Sequence, residues 1–475
     1  MKSDRYALFA LVGFSLFVSS MQFAMIAVAL PDVLDDLNTS LRWLSWVITG
    51  FTLAQAVAMP IAGKLSDELG RRNVFVGGLV LFALASLACT VAPNVYVLII
   101  ARIFQGLAGG SLLPSAYGIL ADKFEGADRA RVVGLISAIF PLGAIIGPNL
   151  GGIVVDNFGW RWTFAFNVPS SLLVVLPALW LMPKDEVRSA GKIDFLGAGL
   201  LTLSAASLVY GLTELSQRDA NPSSAILVIS FVLAVAALVA FIRRESTISF
   251  PVIELNLLKQ KEFAFVNALN FFYGVTVFGM FAFIPLYAQL GYGMSSGETG
   301  ALITPRSVAM SAVSTVASML LPRTGNRKPI IAGLVVIVIG LVLLSLGMKE
   351  PTIGGVQFSN FFLLAFIITV MGCGIGLAGP ASNNAAIELA PERIAAITGM
   401  RGMFRFLGGV IGTAVITLIT TRADSLEEGL ELSFLGLALV TGLTSFLVLG
   451  VPDGLHRPRD VPQPEPSRAV VDTPT

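Results

Sequence analysis

Four arginines stand inside long apolar runs of this chain: Arg102, Arg306, Arg401 and Arg405. A charged side chain near mid-membrane costs about 2.5–3.5 kcal/mol or more, so it faces a bundle interior or a water-filled cavity. A guanidinium keeps its charge at ordinary pH, so it acts on a neighbour or a ligand and does not itself release a proton. Gln105 stands one turn after Arg102 on the same helical face, and Arg401 and Arg405 share a face in the same way. Arg306, just after Pro305, has two readings: it sits in a cavity and attracts anionic groups, or it pairs with Glu298 about two turns earlier. Other chemistry finds few residues to use. The one histidine, His456, lies in a polar tail, and Cys89 and Cys373 lie far apart in apolar runs. That argues against a His-bearing metal site, a Ser-His-Asp triad and a CxxC motif. Both cysteines are expected as buried free thiols. No GxxxxGK[ST] stretch marks a P-loop. The chain is expected not to be an enzyme and to carry no metal and no cofactor.

The elements that position these arginines must cross a membrane. Hydrophobic residues make up 55% of the chain and charged ones only 13%, about half the charge of an average globular protein. That is too little to cover a soluble surface. Lys+Arg number 31 against 30 Asp+Glu, which leaves no basic excess for a nucleic-acid partner. Runs long enough for a helical span occur about fourteen times. Six lie at Tyr6–Leu30, Trp43–Leu65, Asn73–Val91, Val95–Ala121, Val132–Val155 and Trp162–Met182. Two follow at Phe195–Leu215 and Ser223–Ile242. Six more lie at Phe263–Leu290, Thr299–Leu321, Ile330–Gly347, Asn360–Leu389, Ala395–Thr421 and Leu432–Val451. The first run exceeds the roughly 7–15 apolar residues of a signal peptide, so it reads as an uncleaved helix. With the N-terminus in the cytoplasm, 22 of the 31 Lys+Arg fall on inner segments and five on outer ones. Both termini are therefore expected inside. The tail after Val451 is rich in proline and is expected to be disordered.

An internal repeat organises the spans. Gly134, Gly143 and Gly147 are spaced as Gly399, Gly408 and Gly412 are, and Gly110, Pro114 and Asp122 as Gly376, Pro380 and Glu388 are. Spans four and five then correspond to twelve and thirteen, which suggests two six-helix halves around a central cavity. Gly143, Gly147 and Gly151 recur every four residues and form one stripe that permits close helix packing, with Pro148 and Gly152 beside it. Glu388, at a helix end like its mate Asp122, reads as an interfacial anchor rather than a proton carrier.

Four ordered stretches together resemble the major facilitator superfamily, in particular its fourteen-helix drug:proton antiporter branch. They are Gly63–Arg72 between spans two and three, Arg102-Ile103-Phe104-Gln105-Gly106, Gly143–Gly152, and Trp160–Pro169. Pro285-Leu286-Tyr287 and Arg405-Phe406-Leu407-Gly408-Gly409 are similar to that branch as well. The resemblance implies an all-α polytopic major facilitator fold with about 14 transmembrane helices and both termini cytoplasmic. It divides the chain into a six-helix bundle at 1–183, two extra central helices at 184–262, a second bundle at 263–451 and a cytoplasmic tail at 452–475. It implies a gating loop of Gly63, Asp67, Gly70, Arg71 and Arg72, with Asp67 its key acid. It gives Arg102, Gln105 and Arg405 a part in coupling, and makes the Gly143–Gly152 face the seam on which helices rock.

One departure matters. Members of that branch commonly carry an acid in the first helix, where this chain has Gln22. Glutamine can bond a substrate but cannot titrate. A carboxyl introduced at position 22 is expected to face the cavity and to titrate toward neutrality. Cavity candidates are Gln22, Gln55, Tyr117, Asn149, Asn267, Asn270, Arg306, Asn383 and Arg401. The expected function is a proton-coupled exporter of hydrophobic or amphiphilic compounds, of multidrug-efflux type, working by alternating access. A lipid exporter on the same fold and a non-transporting membrane sensor are the alternatives. Expected partners are a small amphiphilic substrate, protons and membrane lipid, with no nucleic acid. A monomer in a bacterial plasma membrane is expected.

Overall fold

The computed structural model of the protein describes residues 2–124, 142–143, 146–182, 194–216, 224–248, 251, 255–281, 283–353, 356–389 and 394–453. Helices α1 (Lys2–Asp36), α2 (Leu41–Leu69), α3 (Arg71–Thr90) and α4 (Val95–Lys123) come first. Residues 146–158 form α5. Next are α6 (Arg161–Ala165), α7 (Asn167–Leu181), α8 (Phe195–Leu215), α9 (Ser224–Glu245) and α10 (Leu255–Leu258). The C-terminal set is α11 (Lys261–Val277), α12 (Phe283–Leu286), α13 (Ser296–Thr324), α14 (Arg327–Ser345), α15 (Asn360–Leu389), α16 (Ile394–Arg422) and α17 (Leu426–Thr444). Among the described residues the fold is all-α apart from one two-residue hairpin, Thr352–Ile353 against Val356–Gln357, between α14 and α15.

Eleven described stretches are long and apolar enough to cross a membrane. Three of the fourteen expected spans are not among them, and a fourth is interrupted. The fifth is only partly described. The ninth, expected as one run over Phe263–Leu290, breaks after Val277, continues as the single turn α12, and ends in a π-helical turn, Tyr287–Gly291. Pro285 in α12 offers no N–H to the carbonyl four residues back, Phe281, which lies within the break. The tenth, α13, carries Arg306, two prolines and a series of Ser and Thr, which lowers its hydropathy below that of a lipid-facing span. The sixth expected span is interrupted at Phe166, between α6 and α7. Pro169 sits in the first turn of α7, where its missing N–H costs least.

The repeat shows in the packing. Gly106 and Gly110 of α4 lie against Phe51 and Gln55 of α2, while Gly372 and Gly376 of α15 lie against Arg306 and Met310 of α13. Position 306 thus stands in the C-terminal helices where 51 stands in the N-terminal ones. Apolar side chains form a core at one end of the N-terminal helices around Leu44, Leu98 and Phe164. A second lies at their opposite end around Leu8, Phe75 and Leu120. A third runs through the C-terminal helices and takes in α8. Outside, Leu173, Trp180, Val228, Val235, Phe362 and Leu443 are exposed in an apolar belt that only lipid would cover.

The hairpin α8–α9 touches both sets at the end of α2 that carries Arg42. Arg42 of α2 pairs with Glu214 at 2.9 Å. Trp46 Nε1 donates to Thr213 at 3.0 Å. Arg422 of α16 donates to the Leu215 carbonyl at 2.8 Å. Two cations thus meet the C-terminal end of α8, the negative end of its dipole.

Candidate functional site

Arg102 is fully buried in α4. Its Nε donates to the Val47 carbonyl at 3.0 Å and its Nη1 to Gln105 Oε1 at 2.6 Å. The same Nη1 stands 3.5 Å from Gln22 Oε1, and the guanidinium lies 4.0 Å from the Phe51 ring centre. Gln105 in turn donates to Ser86 at 2.7 Å. The spacing of Arg102 and Gln105 brings both onto one face of α4, and α1 supplies Gln22. Arg102 Nη2 and Gln22 Nε2 are buried without partners. The expectation that a carboxyl at position 22 would titrate toward neutrality needs correction. Such a group would stand beside a guanidinium and form an ion pair with it.

An aromatic line leads from this node across the molecule. Phe51 packs on Phe23 at 5.9 Å, and Phe23 stacks on Phe281 at 5.6 Å and 19° between planes. Phe281 carries Arg306 5.4 Å from its ring centre. Phe23 belongs to α1 and Phe281 to the turn after α11, so the line joins the two helix sets. Beside it Phe23, Ile26, Ile48, Phe278, Phe281, Gly409 and Thr413 enclose a void of about 10 Å³, the size of one water. These phenylalanines escaped sequence reasoning. Phe is frequent throughout the chain, and only Phe23, next to Gln22, had a signal.

The C-terminal arginines gather around Tyr273. Arg405 Nη2 donates to Asn270 Oδ1 at 3.1 Å and its guanidinium lies 4.6 Å from the Tyr273 ring centre. Arg306 and Arg401 also lie near Tyr273, and Arg401 near Arg405. Nε and Nη1 of Arg401 and Nε of Arg405 are buried without partners. Of the two readings of Arg306, no pair with Glu298 forms among the described residues. Glu298 instead closes a capping box with Ser295 at the start of α13.

The remaining expected residues fall in several places. Asn270 also accepts from Ser382 at 3.3 Å. Asn267 bonds the Phe263 carbonyl of its own helix at 2.9 Å. Gln55 and Asn383 each keep a buried, unpartnered oxygen. Gly63, Asp67 and Tyr117 lie outside the described side chains. Gly70 turns the chain between α2 and α3 at φ 91°. Arg71 donates to the Gly118 carbonyl of α4, and Arg72 to the Leu179 carbonyl at the end of α7 at 2.7 Å. Glu388 accepts from Asn326 at 2.9 Å and Asn384 at 2.8 Å, an anchor at the helix ends. Cys89 is buried and free, whereas Cys373 is free but partly exposed, so the expected burial fails there.

The glycine stripe packs on α1. A Cβ at Gly147 would stand 2.6 Å from the Met21 carbonyl, and one at Gly143 would stand 2.8 Å from Met21 N. Gly151 meets Met25 one turn further, while Gly152 and Pro148 meet Gly297 and Gly300 of α13. Asn149 donates to Thr304 at the same contact. Asp156 Oδ2 accepts from Gly297 N at 2.8 Å, Asp32 Oδ2 from Ser296 at 3.3 Å, and Gln289 donates to the Val28 carbonyl at 3.1 Å. Two carboxylates of the N-terminal helices therefore grip the positive end of α13.

The family model of the Major Facilitator Superfamily matches residues 12–413 and 266–472. Multidrug transporter protein MdtP of Bacillus subtilis is 32% identical over 430 residues, 90% of this chain and 77% of that protein. Multidrug resistance protein Stp of Mycobacterium tuberculosis is 30% identical over 88% of this chain and 77% of its own length. The probable actinorhodin transporter of Streptomyces coelicolor is 30% identical over 82% of this chain and 68% of its own length. The crystal structure of the human organic anion transporter MFSD10 shares the fold, with a TM-score of 0.61 at 15% identity over 94% of this chain and 99% of that one. The spans and the relatives describe a multi-pass plasma-membrane transporter and not an enzyme. The chain belongs to the major facilitator superfamily.

Proposed function

We propose that the chain is a secondary active exporter of hydrophobic or amphiphilic small molecules, energised by the proton-motive force and working by alternating access. The observation that carries this reading is the line Arg102–Phe51–Phe23–Phe281–Arg306, which places charge and aromatic surface where the two helix sets meet. The names of the multidrug relatives support it. Residues 1–183 and 263–451 are the two bundles, 184–262 holds the two extra helices, and both termini face the cytoplasm. The grip of Asp32 and Asp156 on α13 is the outer gate. Cargo loads from the inner side and leaves when that grip parts.

Arg71 and Arg72, tied to α4 and α7, belong to the inner gating loop with Gly63, Asp67 and Gly70. Arg102, Gln105 and Arg405 couple the central site to the gates. Since Gln22 cannot titrate, external protons act on Asp32, whose neutralisation weakens the hold on α13. In cells, expression is expected to lower the accumulation of an amphiphilic dye, a protonophore to restore it, and Arg102→Met to abolish the effect. Equal accumulation with and without the protein would refute the exporter.

A further inference from the structure

We propose that the cargo carries an anionic group, which Arg306, Arg401 and Arg405 receive while the phenylalanines around the central void hold its apolar body. This rests on the exporter reading and narrows it to a charge class.

Charge balance is the first ground. Among the described residues, every Asp and Glu lies in a connecting segment or within about two turns of a helix end. Among the described residues, the middle of the bundle holds four guanidiniums and no carboxylate. A buried charge is normally paired. Glu298, the acid that could have served Arg306, is occupied in its capping box.

Unmet donors are the second. A guanidinium has five N–H groups. Arg405 uses one on Asn270, and its Nε has no partner; Arg401 keeps Nε and Nη1 buried and unused. A carboxylate, sulfonate or phosphate accepts from such forks in pairs.

Direction is the third. Gly402 of α16 stands beside Met59 of α2, and Gly409 and Thr413 line the central void. Arg405 lies between them at i+3 and i−4, on the same face, with Arg401 one turn before it. Arg306 sits on Phe281, which lines the same void. Arg405 bonds Asn270 and lies over Tyr273 of α11, so the donors face the interior of the C-terminal helices beside the void and away from lipid. An anionic cargo also removes the need for a titrating acid at position 22. The inside-negative membrane potential itself drives an anion outward.

The test uses the full chain in liposomes and four probes. They are anilinonaphthalene sulfonate, its uncharged relative N-phenyl-naphthylamine, the cation ethidium, and fluorescent phosphatidylglycerol. The sulfonate is expected to bind about tenfold to hundredfold more tightly than the naphthylamine, and its export to speed up when the cytoplasmic side is made negative. Arg401→Gln should narrow that difference, and Arg401→Lys should keep part of it. Movement of either anion supports the inference: the sulfonate assigns a free organic anion, phosphatidylglycerol a lipid headgroup. If the naphthylamine or ethidium binds and moves as well as both anions, the inference is wrong while the exporter stands. If no probe moves, the exporter reading falls and this inference with it. Should Arg401→Gln fail to fold, the sulfonate-to-naphthylamine ratio of the unaltered protein decides alone.

Discussion

Arg102 is held by groups that carry no negative charge: a carbonyl, the Gln105 amide and the face of Phe51. Its burial is already complete, so the cost of a neighbouring acid is only that acid's own desolvation, set against a close ion pair. Gln22→Glu is therefore expected to raise the melting temperature and to slow export, because the pair ties α1 to α4. A lower melting temperature in a thermal shift assay would contradict this. Arg102→Met removes a buried charge but leaves Gln105 and the Val47 carbonyl short of a donor, at about 1–3 kcal/mol each. Exchanging a buried charge for apolar volume can offset that loss. A folded, transport-dead Arg102→Met protein is expected; a folded and active one would reduce Arg102 to packing. Charge inside apolar runs pointed to Arg102 and Arg405, helical spacing to Gln105, and the family resemblance to Gln22. Phe23, Phe51 and Phe281 were not legible. One phenylalanine in a span looks like another until packing shows which faces a neighbour across the midline.

At the scale of elements, α5 and α13 carry the contact between the helix sets. Gly147 has no room for a side chain: a Cβ there would stand 2.6 Å from the Met21 carbonyl and 2.8 Å from Ala24 Cβ. Gly147→Leu should cost about 1–3 kcal/mol by overpacking and abolish export, read as a lower melting temperature together with lost dye efflux. Full activity at unchanged stability would mean that α1 and α5 part easily. Asp156→Asn should loosen the grip on α13. Spin labels on outer residues flanking the contact should then report a larger share of long distances, and an unchanged distribution would place the outer gate elsewhere. Helix positions were largely readable, since Phe195–Leu215 and Asn360–Leu389 coincide with expected spans. The Gly143–Gly151 stripe was readable as a packing face by its spacing, but not its partner. The break after Val277 was missed because composition stays apolar through Leu290, and only the backbone shows where the helix ends.

Across the whole molecule, the sign of the buried charge sets the energetics. Moving one elementary charge through 100 mV is worth about 2.3 kcal/mol, so an exporter with a cationic interior gains when its cargo is an anion. The two helix sets meet through Asp32, Asp156 and the start of α13, and both touch the end of α8 through Arg42 and Arg422. On the proposed mechanism, opening parts the contacts at α13. Export against a gradient is the central claim, and uphill flux in proteoliposomes tests it most directly. Vesicles containing the full chain, given an amphiphilic dye at equal concentration on both sides, are energised with a proton-motive force of the cellular sense. Dye should accumulate on the side corresponding to the cell exterior, and the accumulation should collapse when a protonophore is added. Folded protein that leaves the two concentrations equal under the same force would contradict the account.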